Sequence, residues 1–183
     1  MHTINLVDFL MFVILALGVN SGRKSDFFTE LVVLLGTVFA AAIAMHYYVR
    51  FGHLLNANFV LPPNSHEVLA FIIITGALIG ITLLAKGGWR IILKVTLKRE
   101  IDNWGSLAFA FIKSIFLCSL VIFALLISGQ SGIENGAKTS YSYLIFRKPA
   151  VLAYDVFYTG FVRPFFKEEP LNQKAFRAIR DVS

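Results

Sequence analysis

The chain has 183 residues, of which 57% are hydrophobic and only 15% charged, with a mean hydropathy of +0.71. Soluble domains carry about 25% charged residues, and here the deficit is concentrated in long stretches almost free of charge. The net charge of +6 sits beside these apolar runs rather than on a water-facing surface, which excludes nucleic acid as the partner and points to anionic lipid headgroups.

The first apolar run covers residues 4–19. A helix of that length reaches about 24 Å, short against a hydrocarbon core of about 30 Å. Residues 1–8 contain no Lys or Arg, so the basic segment of a signal peptide is missing and the run is expected to stay in the mature protein. Asp8 lies one turn inside it. A first-turn acid complements the helix dipole, and an intramembrane acid is the functional alternative. Residues 20–26 (NSGRKSD) read as a tight turn, with Ser25 or Asp26 capping the next helix. So short a turn predicts that the first two spans form an antiparallel hairpin.

The second span is expected over 27–45. Gly36, Ala40 and Ala44 recur every four residues, and in lipid such small residues let helix backbones approach closely. Glu30 stands about one turn in, as a dipole partner or as half of a buried pair. Residues 46–67 read as a loop, with Tyr47, Tyr48 and Phe51 as an interfacial aromatic belt. Pro62-Pro63-Asn64 would break any helix and Ser65 would cap the next. His46, His53 and His66 match no metal-ligand spacing, and Cys118 stands alone, so no metal site and no cofactor are expected.

The third span is expected over 68–85. Gly76 and Gly80 form a GxxxG with Thr75 and Thr82 beside it, read as a helix-packing face, with a pore lining as its rival. Residues 86–104 (KGGWRIILKVTLKREIDNW) hold five of the 17 Lys and Arg residues. On a helix, Arg90, Lys94 and Lys98 share one face, opposite Trp89, Ile92, Leu93, Thr96 and Leu97. That pattern predicts an interfacial helix binding lipid headgroups and fixing topology. The fourth span, 107–127, carries Ser106, Ala110, Ser114 and Cys118 at intervals of four, with Lys113 inside it. Lys113 must snorkel or pair.

The predicted fold is all-α, a polytopic membrane protein with four transmembrane helices in a domain over 1–128, followed by a tail over 129–183. Residues 129–142 read as a Ser- and Gly-rich linker. Pro149 opens a helix to Val162 with an aromatic, interfacial face of Tyr154, Phe157, Tyr158 and Phe161. A short polar helix over 171–182 completes an amphipathic tail.

Four spans place Arg23, Lys24 and the five connector cations on one side, against Arg50, Lys138, Arg147 and Lys148 on the other. The positive-inside rule then makes the connector cytoplasmic. Glu30 and Lys113 fall at similar depth near that side, so they pair if their helices touch.

The chain resembles the colicin V production protein family. The likeness rests on Asp8, the Gly22-Arg23-Lys24 turn, Glu30, and Leu34-Leu35-Gly36, which stand at the spacing of that family's Asp, turn glycine with basic residues, Arg-Glu and Leu-Leu-Gly. Asp26 replaces the family's second turn glycine and Thr29 its Arg. Asp102 matches the family's Asp after the basic connector. Ser106 and Ala110 stand in for glycines four apart, and Lys113 for a basic residue. The likeness covers about residues 5–150. It implies a multi-pass protein of the bacterial inner membrane, linked to toxin production or export and to envelope maintenance.

Two functions compete. One is a non-enzymatic accessory or scaffold protein, using its small-residue stripes for self-association or for a membrane protein partner. The other is an oligomeric channel or transport component, since the family's spans look like those of small mechanosensitive channels. An enzyme is not expected. The chain lacks HExxH, GxSxG and paired intramembrane carboxylates, and Cys118 has no base beside it.

Overall fold

The computed structural model describes residues 2–59, 65–92 and 99–180. Regular structure among these residues is entirely helical. Four long helices come first: α1 (Leu6–Gly22), α2 (Phe27–Asn58), α3 (Ser65–Ile92) and α4 (Arg99–Leu126). The tail adds α5 (Ser131–Thr139), α6 (Tyr141–Phe146), α7 (Pro149–Phe157), a π-helical turn (Tyr158–Val162), α8 (Arg163–Phe165) and α9 (Gln173–Arg180). Three stretches are long and apolar enough to cross a membrane: Phe27–Asn58, Ser65–Ala85 and Glu100–Leu126. The 17-residue α1 is apolar but shorter.

Local chemistry sets the helix starts. The Asn5 side chain accepts from the Val7 and Asp8 amides at 2.9 and 3.4 Å, and Asp8 accepts from the Asn5 amide at 3.1 Å. This reciprocal capping box satisfies donors that the first turn leaves orphaned. Asp26 caps α2 by accepting from the Thr29 amide at 2.8 Å.

Several boundaries differ from expectation. Helix α2 runs on to Asn58 instead of ending near residue 45. Residues 46–58 contain no proline, and Gly52 lets α2 pass close to the backbone of Glu67 on α3. The segment expected as one interfacial helix over 86–104 is divided between two elements. Its start continues α3 to Ile92, and Arg99–Trp104 open α4, where Glu100 and Asp102 complement the helix dipole. Lys94 and Lys98 lie outside the described residues, and with them the Arg90–Lys94–Lys98 face.

Residues expected as a linker are helical in α5 and α6. Gly129, at φ 67°, turns the chain after α4. An i,i+4 pair between Glu134 and Lys138 braces α5, and Ser140 caps α6 by accepting from the Tyr143 amide at 3.1 Å. The π-helical turn falls just before Pro164, whose missing N–H interrupts the α-helical ladder.

The expected α1–α2 hairpin is also replaced. Although the turn is short, α1 packs chiefly on α4, and α2 packs on α3, α4 and α7. Two apolar clusters result. One joins Met45 and Tyr48 of α2, Phe71 of α3 and Phe123 of α4 to Val151, Tyr154 and Ala175 of the tail. The other joins Met11 of α1 and Cys118 and Ile122 of α4 to Tyr143 and Phe146. The tail is thus part of the packed unit. One end of the bundle gathers the start of α1, the end of α2, the start of α3 and the tail. The other gathers the α1–α2 turn and the start of α4.

Candidate functional site

Near the second end, α2 and α4 are locked together by four contacts. The Phe27 amide donates to Asp102 Oδ1 at 2.8 Å, so a carboxylate of α4 caps α2 across the interface. The Phe27 ring lies against the Cα of Gly105, where a side chain would not fit, and stacks obliquely on Phe109 at 4.9 Å between centroids. Deeper in, Lys113 Nζ donates to Glu30 Oε2 at 2.5 Å. The Glu30 side chain is 0% exposed and that of Lys113 is 9% exposed, which sets the pair apart from surface ion pairs worth little. Lys113 can reach Glu30 because side chains on a helix lean toward its N-terminus, here back toward the α2 start.

Removing the cross-helix cap should be costly but not lethal. Asp102→Ala is expected to lower stability by about 1 kcal/mol, the usual worth of an N-terminal capping oxygen. Thermal unfolding in detergent would show this, and an unchanged midpoint would discount the cap.

The small-residue stripe of α4 faces α1. Gly22 sits over Ala110 and the Ser106 carbonyl, and Gly18 sits over Ser114. Ser106 and Ser114 bond within their own helix, Ser106 Oγ to the Asn103 carbonyl at 3.1 Å and Ser114 Oγ to the Ala110 carbonyl at 2.6 Å. Cys118 Sγ lies 3.6 Å from the Met11 carbonyl. Gly22 was expected as a turn residue; it is the buried last residue of α1. Gly18, one helical turn before it, completes a GxxxG with Gly22. The pattern was present in the sequence.

On α2, Gly36 meets Thr82 of α3, and Ala40 and Ala44 are buried. Gly76 and Gly80 behave differently. Neither has an atom within 4 Å of where its Cβ would stand, so the expected packing at these two glycines is not made within this chain. Helix α3 meets α2 through its Thr82 side and turns its glycine face outward. Gly76 borders an open apolar groove of about 380 Å³ with Ile14, Phe71 and Leu120.

Asp8 belongs to the opposite end. Its Oδ1 accepts from the Ser142 amide at 2.7 Å and the Ser142 hydroxyl at 2.6 Å, tying α1 to α6. The same end holds a polar cluster that sequence reading missed. His46, expected in a loop, is buried on α2 with Nδ1 3.0 Å from the Tyr154 hydroxyl. Its Nε2 lies 3.5 Å from Glu169 Oε2, and Arg50 holds Glu169 through contacts of 2.9 and 2.8 Å. Asn172 donates from Nδ2 to the Met45 carbonyl at 2.6 Å, and Lys174 pairs with Glu67 at 2.6 Å. Among the described residues no group of His, Cys, Asp and Glu converges as metal ligands would.

This cluster predicts acid sensitivity of tail docking. The hydrogen-bonded Arg50 guanidinium holds the Glu169 carboxyl below its ordinary value of 4.5. A depressed folded-state value means that the contribution is complete above about pH 4.5 and is lost as pH falls through the lowered folded value. Proteolysis of the tail should therefore accelerate below about pH 4.5, and Glu169→Gln should remove that step. A wild-type profile with no step there would count against the clamp.

A profile of the colicin V production protein family matches residues 7–151. The chain belongs to the colicin V production protein family. Neither a curated protein nor a solved structure matches it. Asp8, Gly22, Glu30, Gly36, Asp102 and Lys113 all fall within the family match. Tyr154, Glu169 and Asn172 fall beyond it, so the clamp on His46 and Arg50 is built partly from sequence outside the colicin V production match.

Proposed function

We propose that the chain is a non-enzymatic accessory or scaffold protein of the bacterial inner membrane, serving toxin production and export and envelope maintenance. It crosses the bilayer four times, with the connector after α3 on the cytoplasmic side. Helix α1 counts as a span because it runs antiparallel to α4, with Gly22 over Ala110 and Met11 beside Cys118. It therefore covers the same slab as a helix long enough to cross.

The observation that carries the scaffold reading is the Glu30–Lys113 pair. The two charges between α2 and α4 neutralise each other in a packed interface, instead of facing a water-filled path as charges that serve conduction do. The open Gly76–Gly80 face is where we place self-association or a membrane protein partner.

Complementation and reconstitution test this. In a colicin V-producing strain lacking its own family member, the chain should restore secreted toxin; no restoration would remove the link to toxin production. Purified protein in liposomes should pass no current with or without membrane tension, and a conductance would overturn the scaffold reading.

A further inference from the structure

At the end of the bundle where α1 and α4 meet, a cavity of about 430 Å³ is lined by Arg23, Asn103, Trp104, Ser106 and Leu107. We infer that this cavity binds the headgroup of an anionic phospholipid, with Arg23 as the phosphate ligand. The inference rests on the chain lying in a bilayer and not on the scaffold reading.

Arg23 ends α1; it is exposed, and its guanidinium has no ion-pair or hydrogen-bond partner among the described residues. Two acids at this end of the bundle are engaged: Asp26 accepts from the Thr29 amide and Asp102 from the Phe27 amide. Glu100 does not line the cavity. Arg23 thus presents a planar fork of donors suited to phosphate oxygens. The exposed Asn103 side chain adds amide donors, while the Ser106 hydroxyl donates to the Asn103 backbone carbonyl and leaves that side chain free to turn.

The cavity is also oriented as a lipid requires. Trp104 is 75% exposed, and indole rings prefer the headgroup level of a membrane. Leu107, on the inner side, leads into the apolar part of α4. A phosphate at Arg23 and Asn103 would let acyl chains descend over Leu107. The cavity lies directly beside the closest approach of Gly22 to Ser106 and Ala110. A bound headgroup would therefore brace the α1–α4 seam at its mouth.

Trp104 itself supplies the readout. With Trp89→Phe it is the chain's single indole, since the sequence has two. The protein is placed in phosphatidylcholine nanodiscs containing a minority of brominated lipid, either phosphatidylglycerol or phosphatidylcholine. Brominated phosphatidylglycerol should be enriched at Trp104 about fivefold over its zwitterionic counterpart, the scale set by one cation at a membrane surface. Arg23→Gln should bring the two lipids close to parity, while Lys24→Gln, which alters a neighbour outside the cavity, should keep most of the preference.

Equal quenching by both lipids in the wild-type chain would overturn the site. So would an equal loss in Lys24→Gln and Arg23→Gln, which would mean diffuse surface attraction. Replacing chloride by inorganic phosphate at matched ionic strength should leave quenching unchanged; displacement would assign the cavity to a free anion instead. If Arg23→Gln fails to fold, the wild-type comparison and Lys24→Gln decide between these outcomes.

Discussion

Lys113→Met should destabilise the folded bundle by about 3–5 kcal/mol, the cost of leaving one member of a buried ion pair without the other. Glu30 is 0% exposed, so the carboxylate cannot recover the lost ammonium by turning to water. Glu30→Gln should cost a similar amount from the other side, because the Lys113 ammonium would remain in an apolar interface. The double variant Glu30→Gln with Lys113→Met should return close to wild type, since neither charge is then desolvated. A charge swap, Glu30→Lys with Lys113→Glu, should exceed either single variant yet fall short of wild type. The attraction would survive, but a cation would sit in the first turn of α2, where the helix dipole favours an acid. Thermal unfolding in one detergent would rank the four variants. A double variant that loses the sum of the two singles would show that the side chains do not act as a pair.

How much of this was legible depends on which interactions have a local signature. Counting residues from the turn put Glu30 and Lys113 at similar depth, because both lie a fixed number of residues inside apolar runs. Their distance also needed α2 and α4 to touch, and the groups that fix that approach, Asp102 on the Phe27 amide and Gly105 under the Phe27 ring, are ordinary in sequence. Small-residue spacing showed that α2, α3 and α4 each own a face able to pack. It holds no information on which face meets which helix: Gly76 and Gly80 stand at packing spacing, yet no atom of this chain lies within 4 Å of either Cβ position. The 46–67 region looked like a loop because its polar and aromatic residues suit an interface. Helix α2 continues through it because the tail supplies partners: Tyr154 and Glu169 for His46, Glu169 for Arg50, and Asn172 for the Met45 carbonyl. Those partners lie over a hundred residues away along the chain, beyond the reach of any periodicity argument.

Gly22→Ala should damage the α1–α4 seam, lowering stability by about 1–3 kcal/mol through overpacking. A Cβ at Gly22 would overlap the Ala110 Cβ and press on the Ser106 carbonyl. Neither obstacle is the end of a flexible side chain, so α1 and α4 must move apart. In a membrane that separation is especially costly. Lipid is as apolar as leucine, and close van der Waals contact is what holds these helices together. The contacts below the clash, Gly18 on Ser114 and Met11 beside Cys118, would loosen with it. Adding Ala110→Gly removes the main obstructing atom and should restore much of the loss. Gly76→Ala provides the contrast, because nothing lies within 4 Å of its Cβ position. It should change stability by less than about 0.5 kcal/mol within the monomer, or raise it slightly through alanine's better helix propensity. If Gly22→Ala and Gly76→Ala melt together, the α1–α4 seam is not the tight contact that its geometry requires. If Ala110→Gly fails to rescue, the cost must come from the Ser106 carbonyl, and a smaller shift of α1 along α4 would then be the response.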